Sequence, residues 1–260
     1  MPTQIHPTAI VSPRAELGDQ VEIGPYAVVE AETVVGEGTI IGAHAVVKSH
    51  TTIGPGCRIY PHACLGGDPQ DLHYAGQPTK LILGQGNIVR EFATLNRGTE
   101  AGGGLTRIGD HNMLMAYSHV AHDCQVGSHV VMANSATLAG HVIVQDYAFL
   151  SAMVGVHQFC RIGAHAFVGG ITGVERDVPP FCMALGQRAR LYGLNVVGLK
   201  RRGFSSETIR DLKEAYRTLF RNHGGVLAQN LIQLEAELGE VPEVKQLIDF
   251  IRTSERGICR

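Results

Sequence analysis

Aliphatic residues recur at every sixth position along most of this chain. An early series starts at Ile5 and continues in steps of six to Leu65. A small or β-branched residue such as Ala9 follows most of these positions by four. In the middle of the sequence the series runs without a break through Ile108, Leu114, Val120, Val126, Met132, Leu138, Val144, Leu150, Val156, Ile162, Val168 and Val174. A period of six with β-branched residues and regular glycines predicts a parallel β-helix of hexapeptide repeats.

The period also predicts which residues lie above one another. Three hexapeptides close a triangular coil of about 18 residues, with the aliphatic side chains inside. Successive coils stack at roughly the 4.8 Å spacing of paired strands, and several coils are needed before the core is stable. His122, Gly140 and Gln158 therefore form one predicted column, beside a second column that contains Asp123 and His141. This prediction requires that the repeat be uninterrupted between them.

Two interruptions of the period predict loops. After Leu65 the six-residue spacing resumes only at Leu83, and the interval 66–80 (GGDPQDLHYAGQPTK) is rich in turn-forming residues. The interval between Leu95 and Ile108 is one residue longer than two hexapeptides and contains three consecutive glycines at 102–104. Loops on a rigid scaffold often carry binding residues.

A helical period replaces the hexapeptide period in the last quarter of the chain. It predicts a helix capped by Ser205 or Ser206 and stopped by Gly224-Gly225, a second from Leu227 to Gly239, and a third opened by Pro242. We therefore predict a mainly β chain, with a parallel β-helix over residues 1–190 and a C-terminal α-helical domain over residues 191–260.

Composition narrows the function classes and the compartment. The formal net charge is −2, without the basic excess typical of nucleic-acid binders. No apolar run is long enough to span a bilayer, and MPTQIHPTAI at the N-terminus has no signal pattern. Cys57, Cys124 and Cys160 fall on the small-residue position of the repeat, which favours packed free thiols in a reducing compartment. We expect a cytoplasmic protein with no nucleic-acid partner and no transmembrane segment.

The densest polar group of the repeat lies around His122 and Asp123. A histidine beside an aspartate suits general-base catalysis, because the carboxylate fixes the imidazole tautomer. The backbone N–H of Gly140, one coil away, is suited to stabilising an oxyanion. Zinc is the rival interpretation, since gamma-class carbonic anhydrases are hexapeptide-repeat proteins with histidine ligands at a subunit boundary. A pair of those ligands is separated by five residues, a separation that no two histidines have here, so we expect no metal.

Several motifs resemble those of the UDP-N-acetylglucosamine O-acyltransferase family. They are SHVAHDCQVG (118–127), ANSATLAGHV (133–142), VGVHQFCRIGAHAFVGG (154–170), DVPP (177–180) and GLNVVGLKRRGF (193–204). The two loops and the helical tail are similar as well. The resemblance implies a left-handed β-helix, a homotrimer with active sites between adjacent prisms, and no cofactor. The implied reaction transfers an (R)-3-hydroxyacyl group from acyl carrier protein to the 3-hydroxyl of UDP-N-acetylglucosamine, the first step of lipid A biosynthesis.

The resemblance also implies roles for individual residues. His122 is the expected general base, Asp123 orients it, and the Gly140 amide stabilises the oxyanion. Gly170 and Phe167 are expected to set the acyl-chain length, and the glycine favours a long chain. The expected substrate-binding residues are Gln70, Asp71, His73, His119, His141, His157, Gln158, Asn195, Arg201 and Arg202. A basic face for acyl carrier protein is expected from Lys200, Arg201, Arg202, Arg188, Arg190, Arg217 and Arg221.

Three positions depart from the family pattern and keep alternatives open. His73 stands where the family commonly has lysine, Asn96 where it often has histidine, and Val197 where it has glutamate. Histidine does not carry the permanent charge of lysine at pH 7. A 3-amino UDP sugar therefore stays open as the acceptor. The other hypotheses are an acyltransferase with a different donor such as a coenzyme A thioester, a zinc hydratase, and a structural or binding trimer of the same fold.

Overall fold

The computed structural model describes residues 2–221 and 226–260. From Gln4 to Val174 short strands alternate with turns, and every third strand joins the same parallel sheet. The three sheets, named faces 1, 2 and 3 in the order in which the chain visits them, close a triangular prism. The predicted parallel β-helix is confirmed.

The strands are numbered in chain order and divide among the faces as follows. Face 1 contains β1 Gln4–Ile5, β4 Glu22–Ile23, β7 Ile40–Ile41, β10 Arg58–Ile59, β13 Ile88–Val89, β16 Met113–Leu114, β19 Val131–Met132, β22 Phe149–Leu150, β25 Phe167–Val168, β27 Cys182–Leu185 and β28 Arg190–Leu194. Face 2 contains β2 Ile10–Val11, β5 Val28–Val29, β8 Val46–Val47, β11 Cys64–Gly67, β14 Thr94–Asn96, β17 His119–Val120, β20 Thr137–Leu138, β23 Gly155–Val156 and β26 Gly173–Val174. Face 3 contains β3 Glu16–Leu17, β6 Val34–Val35, β9 Thr51–Ile53, β12 Lys80–Leu83, β15 Leu105–Ile108, β18 Gln125–Val126, β21 Ile143–Val144 and β24 Arg161–Ile162.

The periodic aliphatic residues fill the prism. Every member of the series from Ile108 to Val174 is at most 3% exposed. Ile5 belongs to the same period but is 47% exposed, because the first coil has a neighbour on one side only. The six cysteines are free thiols, and burial raises the pKa of Cys124 to about 12, which supports the prediction of packed thiols.

Register within the ladders locates the two predicted loops. His119 pairs with Thr137, the residue directly above it when a coil has no insertion. Cys64 instead pairs with Thr94, so the whole first loop is contained within a single coil. Thr94 in turn pairs with His119, and that coil contains the second, shorter loop. Both loops leave the prism between face 2 and face 3.

The turns at the three edges are named by the faces that they join: corner 1–2, corner 2–3 and corner 3–1. Many turn residues have positive φ without being glycine, a conformation that is uncommon for L-residues. At corner 1–2 the rings of such residues stack at 4.9–5.0 Å, and ring stacking along the column helps to offset the conformational cost. This column consists of Tyr26, His44, His62, Phe92 and Tyr117.

The C-terminal part is helical, as predicted. The helices are α1 Val196–Arg201, α2 Ser206–Phe220, α3 Leu227–Leu238 and α4 Pro242–Arg252. Ser205 caps α2 and Pro242 opens α4, which confirms these predictions, while the predicted stop at Gly224-Gly225 lies outside the described residues. The helices share a second hydrophobic core, built around side chains such as Leu212 and Leu247.

Two elements of this region escaped the sequence prediction. Helix α1 is a short helix of 6 residues, too few for a helical period to be visible. Strand β28 pairs antiparallel with β27 at the end of face 1, and it spans the predicted boundary between residues 190 and 191. The division into two domains therefore stays our proposal. Among the described helices, none combines the length and the apolar character that crossing a membrane requires.

Candidate active site

His122 and Asp123 lie at corner 2–3, in the turn from β17 to β18. Asp123 takes a left-handed conformation with φ 61°, like the equivalent turn residues His141 and Phe159 of the coils above. Oδ2 of Asp123 lies 2.8 Å from Nδ1 of His122. The aspartate side chain is 1% exposed and the histidine side chain 14% exposed. This bond fixes the proton on Nδ1 and leaves Nε2 of His122 as the basic atom.

The carboxylate of Asp123 is held by the second loop, residues 97–104. Oδ1 accepts the backbone N–H of Thr99 at 2.8 Å, and Oδ2 accepts the Thr99 hydroxyl at 2.6 Å. The N–H of Asp123 itself donates to Oγ1 of Thr106 at 2.8 Å. A side chain at Gly98 or Gly102 would collide with the carboxylate, which explains why glycine is needed at both positions.

Thr99 was not among the predicted site residues. The unusual loop length and its three consecutive glycines were the available signal, but neither identifies the threonine.

Gly140 lies one coil above His122, as the period predicts. A Cβ added to Gly140 would be 2.5 Å from Cε1 and 2.8 Å from Nε2 of His122, so the imidazole occupies the space that a side chain at residue 140 would need. The N–H of Gly140 has no acceptor among the described residues. A free N–H beside the basic nitrogen is suited to receiving a negatively charged oxygen.

His141 and Phe159 continue the neighbouring column. Their rings stack at 4.5 Å, and Nε2 of His141 lies 3.7 Å from Oδ2 of Asp123. The ring of His141 meets that of His122 edge-on at 5.2 Å. Gln158 is exposed at the same corner, and Nδ1 of His157 lies 3.1 Å from an Arg256 guanidinium nitrogen. These predicted residues are therefore brought together at one corner.

His119 projects from face 2 beside this corner. Its Nδ1 lies 2.8 Å from Oγ1 of Thr94. Burial lowers the pKa of His119, and the nearby His122 lowers it further. His119 is therefore a neutral hydrogen-bonding group near pH 7.

The first loop, residues 68–79, stands at the same corner and carries Gln70, Asp71 and His73. Oδ1 of Asp71 accepts the N–H of His73 at 2.8 Å. The loop is fastened by Arg97, whose guanidinium donates to Asp68 at 2.5 Å and to Tyr74 at 2.8 Å. The second loop thus anchors the first. Asn96 also helps to hold the first loop, because its Nδ2 donates to the Asp68 carbonyl at 2.8 Å.

Asn195, Arg201 and Arg202 are not brought to His122 within one chain. They belong to the start and end of α1, beside corner 3–1. Asn195 caps α1 by accepting the Gly198 N–H, and its Nδ2 donates to the His165 carbonyl at 3.0 Å. The Arg202 guanidinium lies 4.6 Å from the ring centroid of Tyr147, a residue of the same corner.

Gly170 and Phe167 also lie away from corner 2–3. Phe167 projects from face 1 and stacks on Phe149 at 5.5 Å, and Gly170 occupies corner 1–2. A Cβ at Gly170 would meet only the Ala152 carbonyl oxygen, at 3.4 Å. Above His119 on face 2, the outward positions are Thr137 and then the glycines 155 and 173.

In the described part of the chain, one group of side chains has the spacing of a metal site. Ligand atoms of His122, Asp123 and His141 lie within 4.8 Å of one another. Both oxygens of Asp123 already accept hydrogen bonds, one of them from Nδ1 of His122. An ion that used these ligand atoms would have to replace those bonds.

Known sequences are similar to this chain over nearly its whole length. Residues 177–259 match the profile described as UDP N-acetylglucosamine O-acyltransferase, domain 2, and residues 32–67 and 105–140 match the bacterial transferase hexapeptide profile. Acyl-[acyl-carrier-protein]–UDP-N-acetylglucosamine O-acyltransferase from Thiobacillus denitrificans is 56% identical, covering 98% of this chain and 99% of its own. The enzyme of the same name from Alkalilimnicola ehrlichii is 58% identical, covering 99% and 100%.

Solved structures give the same result for the fold. The UDP-N-acetylglucosamine acyltransferase of Bacteroides fragilis superposes with a TM-score of 0.96 at 39% identity, covering 99% of this chain and 100% of its own. The corresponding structure from Francisella novicida has a TM-score of 0.94 at 38% identity, covering 99% and 94%. The prism is accordingly a left-handed parallel β-helix, as expected from the resemblance.

Proposed function

Because the chain belongs to the UDP-N-acetylglucosamine O-acyltransferase family, whose reaction opens lipid A biosynthesis, we propose that His122 is the general base of this reaction. The substrates of the family are acyl carrier protein carrying an (R)-3-hydroxyacyl chain and UDP-N-acetylglucosamine. The bond between His122 and the buried Asp123 is the observation that carries the proposal.

In this mechanism the basic atom is Nε2 of His122. It takes the proton from the sugar 3-hydroxyl as that oxygen attacks the thioester carbonyl. The imidazolium that forms is stabilised by Asp123. The tetrahedral oxyanion accepts a hydrogen bond from the free N–H of Gly140. Collapse of the intermediate breaks the carbon–sulfur bond, and His122 returns its proton to the departing thiolate of acyl carrier protein.

The acceptor sugar is expected to bind at corner 2–3. There His141, His157 and Gln158 lie on the coils above His122, and the first loop presents Gln70, Asp71 and His73 at the same edge. Arg97 bonds to the Ser49 carbonyl and to Asp68, so the first loop is held from the second loop. We propose UDP-N-acetylglucosamine as the acceptor. A 3-amino sugar is the alternative, because His73, Asn96 and Val197 depart from the family pattern.

Face 2 is proposed as the floor of the acyl groove. Glycines 155 and 173 stand above His119 on this face, and nothing lies within 4 Å of a Cβ added to Gly155. Gly173 stands three strand spacings, roughly 14 Å, from His119. The groove is proposed to lead toward Gly170, in the turn at corner 1–2 that precedes Gly173. With no side chain at Gly170 the end of the groove stays open, which favours a long chain. Phe167 on face 1 is proposed to border its end.

The proposed homotrimer explains the separation of the nucleotide-binding residues from the base. Asn195, Arg201 and Arg202 belong to corner 3–1, whereas His122 belongs to corner 2–3. A neighbouring copy that presents corner 3–1 to corner 2–3 would supply the guanidinium groups for the uridine diphosphate, whose phosphate oxygens suit the planar arginine fork. Each active site would then be shared between two copies.

The proposed docking face for acyl carrier protein is basic. Arg217 is paired with Glu214, and Arg188 lies 3.8 Å from Glu175. Exposed ion pairs of this kind are weak, so both arginines can still interact with an acidic partner. The surrounding cations remain available to steer an acidic partner. These cations are Lys200, Arg190 and Arg221. A cytoplasmic location is proposed from the six free thiols, which fit a reducing compartment.

The decisive test is the loss of turnover in His122→Ala. Acyl transfer from 3-hydroxyacyl carrier proteins of different chain length is measured against UDP-N-acetylglucosamine and its 3-amino analogue. We expect His122→Ala to lose at least about a thousandfold in kcat. His6→Ala is the matched control, because His6 is exposed on the first coil and, among the described residues, its imidazole hydrogen-bonds only to Thr8. Near-normal turnover of His122→Ala would refute the proposal.

The shared site has its own test. His122→Ala and Arg202→Ala are each expected to be inactive alone. Mixed trimers of the two should recover activity, because some sites would then combine an intact His122 with an intact Arg202 from the neighbouring copy. Absence of recovery in confirmed mixed trimers would contradict the shared site. Offering coenzyme A thioesters and measuring bound zinc separates the remaining hypotheses.

A further inference from the structure

We propose that Thr99 is a positioning residue for this reaction, which acts through Asp123 to fix the orientation and tautomer of His122. The inference rests on the proposed role of His122 as the general base. It assigns a function to the second loop, which departs from the hexapeptide period and which the mechanism has not yet used.

Thr99 places a donor on each oxygen of the same carboxylate. Its N–H reaches Oδ1 of Asp123 at 2.8 Å and its hydroxyl reaches Oδ2 at 2.6 Å. Counted over the whole residue, Thr99 is 5% exposed and Asp123 is 6% exposed, so water cannot substitute easily for either bond. A buried carboxylate stays ionised only when such donors satisfy it. Bonds to an ionised acceptor are also the stronger ones.

The direction of the Thr99 hydroxyl is fixed by the loop. Oγ1 of Thr99 accepts the N–H of Gly102 at 3.1 Å, and the Thr99 carbonyl accepts the N–H of Gly104 at 2.7 Å. A hydroxyl has one hydrogen to donate. The N–H of Gly102 can only donate to this hydroxyl, whereas Oδ2 of Asp123 accepts, so that hydrogen points to Asp123. Gly102 also lacks the Cβ that would overlap the carboxylate.

The competing partner of Asp123 is His141. Its Nε2 lies 3.7 Å from Oδ2, the oxygen that also receives Nδ1 of His122 at 2.8 Å. Without the Thr99 hydroxyl the carboxylate can rotate toward His141. His122 then loses the bond that keeps its proton on Nδ1, and a smaller fraction of the enzyme presents a basic Nε2. The loss falls on kcat, because Thr99 is buried behind Asp123 and does not face the sugar.

The test compares Thr99→Val with Thr99→Ser in the full-length assembled enzyme. Valine keeps the shape and the backbone N–H but removes the hydroxyl. We expect kcat to fall about 10- to 100-fold and KM for UDP-N-acetylglucosamine to change less than about twofold. Serine restores the hydroxyl and should bring kcat back to within about threefold of the wild type.

Thr51→Val is the matched control. Thr51 is fully buried in strand β9, outside both loops, and its Oγ1 has no partner in the described part of the chain. This variant should turn over like the wild type. Gly102→Ala reaches the same carboxylate from the other side of the loop and should also lower kcat with little change in KM. Thr99→Ala, a smaller replacement that also lacks the hydroxyl, keeps the inference testable even where Thr99→Val does not assemble.

Three results would overturn the inference: wild-type kcat in Thr99→Val, a raised KM with unchanged kcat, or a serine variant as slow as the valine variant. His122→Ala distinguishes this failure from that of the proposed function. If His122→Ala is inactive while Thr99→Val is normal, only the role of Thr99 falls. If His122→Ala is active, the general-base assignment itself is wrong.

Discussion

Replacing Gly140 with alanine tests whether the position of the His122 ring controls the rate. The added Cβ would stand 2.5 Å from Cε1 and 2.8 Å from Nε2 of the imidazole, whereas ordinary van der Waals contact begins at 3.4 Å. The ring must therefore withdraw by about 1 Å. The carboxylate of Asp123 cannot follow, because Thr99 holds both of its oxygens.

A displacement of this size has a calculable consequence. Misplacing a catalytic group by about 1 Å costs about 100-fold in rate. We therefore expect kcat/KM of Gly140→Ala to fall about 100-fold, equivalent to about 2.7 kcal/mol of transition-state stabilisation. Alanine keeps the backbone N–H at residue 140, so the variant tests the position of the ring and not the oxyanion donor.

The assay is acyl transfer from 3-hydroxyacyl carrier protein to UDP-N-acetylglucosamine, with the thermal unfolding midpoint measured in parallel. The midpoint should change little, because the side chain of His122 is 14% exposed and can move toward solvent. A Gly140→Ala enzyme with kcat/KM within about threefold of the wild type would refute the reasoning. A large drop in the midpoint would show that the glycine serves the fold instead.

Three further predictions concern stability. Leu138→Ala should lower the free energy of unfolding by about 2–5 kcal/mol in a denaturant titration, because Leu138 is fully buried in the prism; a smaller loss would mean that the core collapses around it. Asn195→Ala should cost about 1 kcal/mol through loss of the α1 cap, whereas a residue used only for nucleotide binding would leave stability unchanged. Burial raises the pKa of Asp177 above its ordinary 3.8, so its contribution to stability is full below 3.8 and is lost as pH rises through the raised pKa. The thermal unfolding midpoint of the wild type, relative to that of Asp177→Asn, should therefore fall as pH rises from 3.8 through the raised pKa. A difference between the two midpoints that does not change with pH would contradict the raised pKa of Asp177.

The sequence predicts this fold well because the physics of the prism is periodic. A coil without an insertion is 18 residues long, and this length places the buried Leu138 above Val120 and Gly140 above His122. The core and the column of site residues can therefore be predicted from the same repeat length. The direct pairing of His119 with Thr137 confirms that no insertion disturbs this part of the ladder.

The rest could not be predicted because it depends on chain segments without a period. Thr99 reaches Asp123 through the particular path of the second loop, which no spacing rule describes. The place of Arg202 beside Tyr147 depends on the antiparallel return of β28 and on the short helix α1. Sequence resemblance assigned Arg202 to the substrate, but only the structure shows that it lies at a different corner from His122.

The two loops of corner 2–3 also have a consequence for how such a protein can be altered. Each loop makes its coil longer than the regular repeat, and the ladder shifts where the first loop leaves face 2, between Leu65 and Gly67. The aliphatic residues that flank the loops nevertheless pair in register. Each coil depends only on the coils next to it, and the entropic cost of a loop rises by only about 0.6 kcal/mol for each doubling of its length. The first loop of corner 2–3 is therefore a natural place for grafting foreign peptide segments, where recognition can be redesigned without redesigning the core.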